Sequence, residues 1–147
     1  MTTGGKDYAG DVTAAEAYDI LQGRPDAVLV DVRTEPEWSY VGVPDLSGLN
    51  REVVLVEWQR YPTMAVNEDF VPTLLSELKR RGTPQSAPIL FLCRSGARSQ
   101  AAAQTMSERG FTNCLNVTGG FEGPLDSERH RGRRDGWKAQ DLPWRQN

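Results

Sequence analysis

Short, nearly unbroken apolar runs recur along the chain, and the stretches between them are polar or helix-periodic. Residues 27–32 read Ala-Val-Leu-Val-Asp-Val, a β-branched run that fits a strand covered on both faces and predicts a central position in a sheet. A second run spans 53–58, a third 89–92 (Ile-Leu-Phe-Leu), and a shorter last one 113–117. Between the second and third, Phe70, Val71, Leu74, Leu75 and Leu78 recur at three and four residues, which predicts a helix over 68–81 with one buried face.

Helix boundaries are marked as clearly. Thr13 stands three residues before Glu16, the capping-box spacing, so a helix opens there and runs to about Leu21, stopped by residues 23–26. Thr34 precedes a short helix with Pro36 in its first turn, where a missing N–H is tolerated. Gly82 and the turn at 83–88 close the helix over 68–81. The alanine-rich stretch 97–109 predicts another helix, ended by Gly110. Strands separated by helices need crossovers of a dozen or more residues, so the fold class is α/β with a parallel sheet.

A length of 147 residues suits one domain, expected over 10–144, with short termini at 1–9 and 145–147. An irregular charged insertion at about 122–135 carries Arg129, His130, Arg131, Arg133 and Arg134, and reads first as a solvated loop. Trp137, Leu142, Pro143 and Trp144 offer apolar anchors that pack back on the body. With 38% hydrophobic and 25% charged residues the chain is globular rather than disordered. A formal charge of −3 gives no support to a nucleic-acid partner.

No run is long enough to span a membrane, and the first residues lack a secretory pattern. The two cysteines are far apart and do not form a C-x-x-C pair, so a thiol protein of the cytoplasm is expected. His130 is the single histidine, which excludes a histidine metal cluster. Gly119 and Gly120 make no dinucleotide fingerprint and no P-loop lysine is present, so neither cofactor nor metal is expected.

The chemistry concentrates where the third run ends. Cys93 stands at the carboxyl end of that strand, where open parallel sheets bind ligands. Cys93, Arg94, Ser95, Gly96, Ala97, Arg98 and Ser99 then form a loop that runs directly into a helix. Successive N–H groups in such a turn make a nest for an anion, and the positive end of the helix adds to it. Arg94 and Arg98 favour the thiolate, the nucleophilic form of cysteine. Cys114, flanked by Leu115 and Val117, reads instead as a buried structural thiol.

The loop resembles that of the rhodanese family of sulfurtransferases. Further matches follow in order: residues 12–16, the strand end at Asp31 and Arg33, Glu35 to Trp38, the segment 116–121, and Gly136 to Ala139. The resemblance implies a single rhodanese-like domain with a five-stranded parallel sheet and helices on both faces. It implies that Cys93 takes a sulfane sulfur from a small donor such as thiosulfate, or from a persulfide-bearing protein. Cys93 would carry it as a persulfide and yield it to a thiophilic acceptor such as cyanide or a thiol.

Under that resemblance the N–H groups from Arg94 through Ser99 cradle the persulfide, Arg94 and Arg98 attract the anionic donor, and Ser95 and Ser99 offer hydroxyls. Asp31 and Arg33 help hold the loop, or simply pin strand ends, and Glu37 pairs with a local arginine. Where many family members carry a glycine-histidine-isoleucine-proline-glycine-alanine stretch, this chain has Tyr40, Val41, Gly42, Val43, Pro44, Asp45 and Leu46. Two rival readings stand beside the enzyme: a non-catalytic rhodanese-like binding module, and a cysteine-dependent phosphatase. The phosphatase loop has five residues between cysteine and arginine, whereas four separate Cys93 from Arg98.

Overall fold

The computed structural model describes residues 7–146. In chain order the elements are β1 (Gly10–Val12), α1 (Ala14–Gly23), β2 (Val28–Asp31), α2 (Glu35–Tyr40), β3 (Val43–Pro44), β4 (Val54–Leu55) and β5 (Gln59–Arg60). They continue with β6 (Ala65–Val66), α3 (Phe70–Arg80), β7 (Ile89–Leu92), α4 (Ala97–Glu108), β8 (Cys114–Val117) and β9 (Trp144–Arg145). Five strands form one parallel sheet in the order β1-β8-β7-β2-β4. Two short antiparallel pairs, β3 with β9 and β5 with β6, lie outside it.

Every residue of β2 and β7 is buried, as expected of central strands covered on both faces. Alternation divides their side chains between two cores. Val28, Val30, Ile89 and Phe91 pack with Phe70, Leu74 and Leu78 of α3 and with Ala102, Ala103 and Met106 of α4. Leu29, Leu90 and Leu92 face Ala14, Ala17 and Leu21 of α1, together with Phe121 and Trp137 from the tail. The expected α/β fold is thus present, a five-stranded parallel sheet with α3 and α4 on one face and α1 and the tail on the other.

The cap at Thr13 forms as its spacing predicts. Its N–H donates to Glu16 Oε1 at 2.8 Å, and the Glu16 N–H donates to Thr13 Oγ1 at 3.1 Å. The residues just before it form an element that the apolar pattern does not predict. Gly10–Val12 is an edge strand, Tyr8 is buried, and the Ala9 N–H donates to Cys114 O at 2.9 Å. Three residues are too few to show a period of two, so the fifth strand left no pattern to read.

The second apolar run is strand only at Val54–Leu55. Beyond it Val56 and Trp58 donate to Asp31 O and Val32 O, and the chain then turns out into the β5–β6 hairpin. Trp137 is fully buried, its indole N–H donating to Pro143 O at 2.7 Å and its ring meeting Tyr18 edge-on at 5.8 Å. The tail therefore seals the α1 face of the sheet. Among the described residues no helix is long and apolar enough to cross a membrane.

Candidate active site at the end of β7

β7 ends at Leu92, and the next residue, Cys93, is 2% exposed. The chain reverses through Arg94, Ser95 and Gly96 and enters α4 at Ala97. Gly96 holds φ at +125°, a conformation that side-chain-bearing residues rarely adopt. This turn brings the Gly96 N–H to 3.0 Å from Cys93 Sγ, as a donor to the sulfur. One turn into the helix, Ser99 is fully buried and its hydroxyl oxygen lies 3.2 Å from the same sulfur.

The outer side of the loop is held by the segment after β8. Phe121 N–H donates to Cys93 O at 2.8 Å, and the Glu122 and Gly123 N–H groups both donate to Arg94 O, at 3.0 and 3.1 Å. With its carbonyls engaged there, the loop keeps the Gly96 N–H for the sulfur. Gly120 permits this close approach: its φ is +62°, and a Cβ there would stand 2.6 Å from the Arg94 carbonyl oxygen.

The two loop arginines have different surroundings. Arg98 makes a bidentate pair with Glu37 of α2, at 2.8 Å (Nη1 to Oε1) and 3.0 Å (Nη2 to Oε2). Glu37 is held in turn by the N–H and hydroxyl of Thr34, at 3.1 and 2.9 Å. Burial pushes the Glu37 carboxyl up, but Arg98 and Thr34 outweigh it and hold it at about 2. Burial opposes the Arg98 charge as well, and Glu37 overcomes that, so Arg98 is displaced upward. Arg94, by contrast, is exposed, and no ion pair engages it among the described residues.

Asp31 and Arg33 are both fully buried and pair through 2.7 Å and 3.0 Å contacts. Arg33 also donates to Gly42 O at 2.7 Å and lies over the Phe121 ring at 4.2 Å. The pair thus braces the turn after α2 and the residue whose N–H holds Cys93 O. Neither residue lines the opening above the cysteine.

That opening has a volume of about 570 Å³. Its walls include Cys93, Arg94 and Ala97 from the loop, Met64 from the β5–β6 hairpin, and Glu122 and Arg131 from the charged segment. The segment at 122–135 has no helix or strand and is largely exposed, and local hydrogen bonds hold it. Asp126 accepts from the N–H groups of Glu128 and His130, and Arg131 donates to Gly123 O at 2.7 Å. The His130 side chain is exposed and does not line the opening.

Two contributors went unnoticed in the sequence. Asn116, 4% exposed on β8, lies 2.6 Å through Oδ1 from Ser99 Oγ; its signal was its place in the segment 116–121. Met64 and the hairpin carrying it left no pattern. Cys114 is buried at the far end of β8 and its thiol is pushed up to about 11 by desolvation. Among the described residues no group of three or more His, Cys, Asp or Glu side chains is placed to hold a metal ion.

The sheet order and the cysteine loop between β7 and α4 define a rhodanese-like domain. The family described as the STR4 middle domain matches residues 9–147, and the chain belongs to it. The crystal structure of Rv0390 from M. tuberculosis is similar, with a TM-score of 0.83 and 51% identity, covering 95% of this chain and 99% of that one. An uncharacterized protein of Rickettsia conorii, RC0915, is 39% identical over 91% of this chain and 95% of its own length. The chloroplastic rhodanese-like domain-containing protein 4 of Arabidopsis thaliana is 25% identical over 92% of this chain, which spans 25% of that protein.

Proposed function

We propose that this protein is a sulfurtransferase in which Cys93 carries the sulfur. The observation that bears most weight is the position of Cys93 Sγ, with the Gly96 N–H donating to it at 3.0 Å beneath an opening edged by the exposed Arg94. A sulfur atom added there would lie beside the Gly96 N–H and the positive end of α4, which suits an anionic persulfide. Ser95, Ala97 and Ser99 complete the cradle, Arg94 supplies positive charge, and Arg98 with Glu37 and Asp31 with Arg33 hold the frame around it.

The reaction has two half-reactions. The Cys93 thiolate attacks the outer sulfur of thiosulfate; a new S–S bond forms, the old one breaks, and sulfite leaves with the electron pair. The acceptor, cyanide or a thiolate, then attacks the terminal persulfide sulfur, and the Cys93 thiolate departs with the pair of the broken S–S bond. This is covalent catalysis of the ping-pong kind. Neither sulfite nor thiolate needs a general acid in order to leave. The reading has the protein in a reducing compartment such as the cytoplasm, where both cysteines, free here, stay reduced.

The test is the intact mass of reduced protein before and after incubation with thiosulfate, with Cys93→Ser alongside. A gain of about 32 Da on the parent alone, removed by cyanide with release of thiocyanate, is expected from one bound sulfur. A folded parent that gains nothing from thiosulfate or from a small-molecule persulfide would turn the reading toward a protein-binding module.

A further inference from the structure

The opening above Cys93 has a neighbour. A second cleft, of about 370 Å³, is lined by Glu35, Pro36, Ser39, Tyr40, Glu57 and Tyr61. Two elements wall both spaces. From α2, Glu35, Pro36, Ser39 and Tyr40 face the cleft, while Glu37 faces the opening. From the β5–β6 hairpin, Tyr61 lines the cleft, while Gln59 and Met64 line the opening. The hairpin turn passes through Met64 at φ +60°, a conformation uncommon for residues other than glycine.

Apolar surface is left uncovered on this side of the molecule. Tyr40 is 81% exposed and Tyr61 61%, and Met64 and Val66 of the same hairpin are exposed as well. Aromatic and thioether side chains gathered at the rim of a reactive site are typical of a protein-binding surface.

Charge narrows the kind of partner. Glu57 is fixed at the start of α2, where the Glu35 N–H donates to its Oε2 at 2.9 Å. No lysine or arginine lines the cleft, and Arg60 of the hairpin is engaged by Asp69 at 2.8 Å. Two carboxylates beside two tyrosine rings make a seat for a lysine or arginine side chain, through ion pairing and cation–π attraction. The opening has the other polarity near the sulfur: Arg94 and Arg131 line it with Glu122, while Glu37 and Arg98 answer each other. An incoming segment therefore meets positive charge beside Cys93 and negative charge in the cleft.

We propose that α2 and the β5–β6 hairpin form the docking surface for a protein that takes sulfur from Cys93. Its cysteine enters the opening, and a lysine or arginine a few residues away is seated in the cleft with Tyr40 and Tyr61. The inference rests on the reading of Cys93 as the sulfur carrier, and names the acceptor. The partner's thiolate attacks the terminal sulfur of the Cys93 persulfide. A new S–S bond forms on the partner, the old one breaks, and Cys93 departs as thiolate with the electron pair. A small acceptor such as cyanide enters the opening alone and makes no use of the cleft.

The test uses the sulfur-loaded full chain and synthetic peptides, each with one cysteine, alike except for lysine, glutamine or glutamate a few residues from it. Loss of the added sulfur, read by intact mass, gives the transfer rate. At low salt the lysine peptide should unload wild type about tenfold faster than the glutamate peptide, the size of an exposed ion pair with a cation–π contact. The difference should shrink in high salt. In the double variant Glu35→Gln, Glu57→Gln the two peptides should unload at nearly the same rate. The double variant Tyr40→Ser, Tyr61→Ser should slow the lysine peptide by about fivefold through loss of the rings. Cyanide should unload every one of these proteins at the wild-type rate. Equal rates for the lysine and glutamate peptides on wild type overturn the proposal. So does a lysine preference that survives both carboxylate changes, because it then belongs to the peptide's own thiol.

A lysine peptide with serine in place of its cysteine separates the surface from the chemistry. On Cys93→Ser protein it should shift the backbone amide resonances of residues 35–41 and 57–66, and the two glutamate changes should remove those shifts. No shifts, or shifts confined to other residues, overturn the proposal. Failure of wild type to load sulfur, with these shifts intact, would refute the function and leave the docking surface in place.

Discussion

Arg98 and Glu37 face each other through both guanidinium nitrogens and both carboxylate oxygens, at 2.8 and 3.0 Å, across 61 residues of sequence. The pair ties α4 to α2 and spends the charge of the more buried loop arginine on the protein itself. Glu37 is held at about 2 against a normal 4.5. A depressed carboxylate stabilises the fold fully above its unfolded value, and that stability is lost as pH falls from 4.5 through 2. Wild type should therefore exceed Glu37→Gln by up to about 3 kcal/mol near neutrality. In urea titrations the gap should narrow steadily below pH 4.5; a gap that does not change with pH would refute the assignment.

The same pair separates the two arginines in function. Among the described residues Arg94 is exposed and makes no ion pair, whereas the charge of Arg98 is already answered by Glu37. Arg94→Ala should raise KM for thiosulfate by about two- to fivefold, the value of a solvent-exposed attraction, with kcat little changed. The effect should fade in high salt. Arg98→Ala should instead lower stability and leave Glu37 unpaired. Equal KM effects from the two variants at low salt would mean that Arg98 still attracts the donor directly.

Cys114 offers a control within the molecule. It is fully buried, and desolvation pushes its thiol up to about 11. At pH 7 to 8 it should resist alkylation in the native protein, while Cys93 reacts through the opening. Cys114→Ser should keep full sulfur transfer and cost about 1–3 kcal/mol, because a hydroxyl replaces a sulfur in an apolar site. Cys93→Ser should keep the fold and lose turnover. Native-state alkylation of both cysteines at equal rates would contradict the burial of Cys114.

Much of this arrangement was legible in local pattern. The run at 89–92 and the turn that follows placed Cys93 at a strand end before a helix, and the spacing of Thr13 and Glu16 marked the start of α1. These features depend on neighbours within one turn or one strand. What escaped notice depends on partners brought together by the sheet. Glu37 does pair with an arginine as expected, but with Arg98, 61 residues on, because α2 and α4 follow β2 and β7, which lie side by side. Asn116 reaches Ser99 because β8 borders β7, and three residues of β1 become a strand only because β8 offers its edge. The β5–β6 hairpin, polar and two residues a side, carries no periodic signal at all.

Gly120 gives the sharpest test of how the cysteine loop is held. Its φ of +62° and the nearness of the Arg94 carbonyl leave no room for a methyl group. Gly120→Ala must push the segment after β8 away from the loop and strain its own backbone, at a cost of about 1–3 kcal/mol. The chemical effect should be larger than that loss implies. The N–H groups of Phe121, Glu122 and Gly123 that fasten Cys93 O and Arg94 O move with the segment, so the Gly96 N–H loses its fixed approach to the sulfur. At a temperature where the variant is fully folded, kcat for sulfur transfer should fall by about tenfold, one lost charge-assisted hydrogen bond. A folded Gly120→Ala protein with wild-type kcat would show that the loop keeps its shape without this brace.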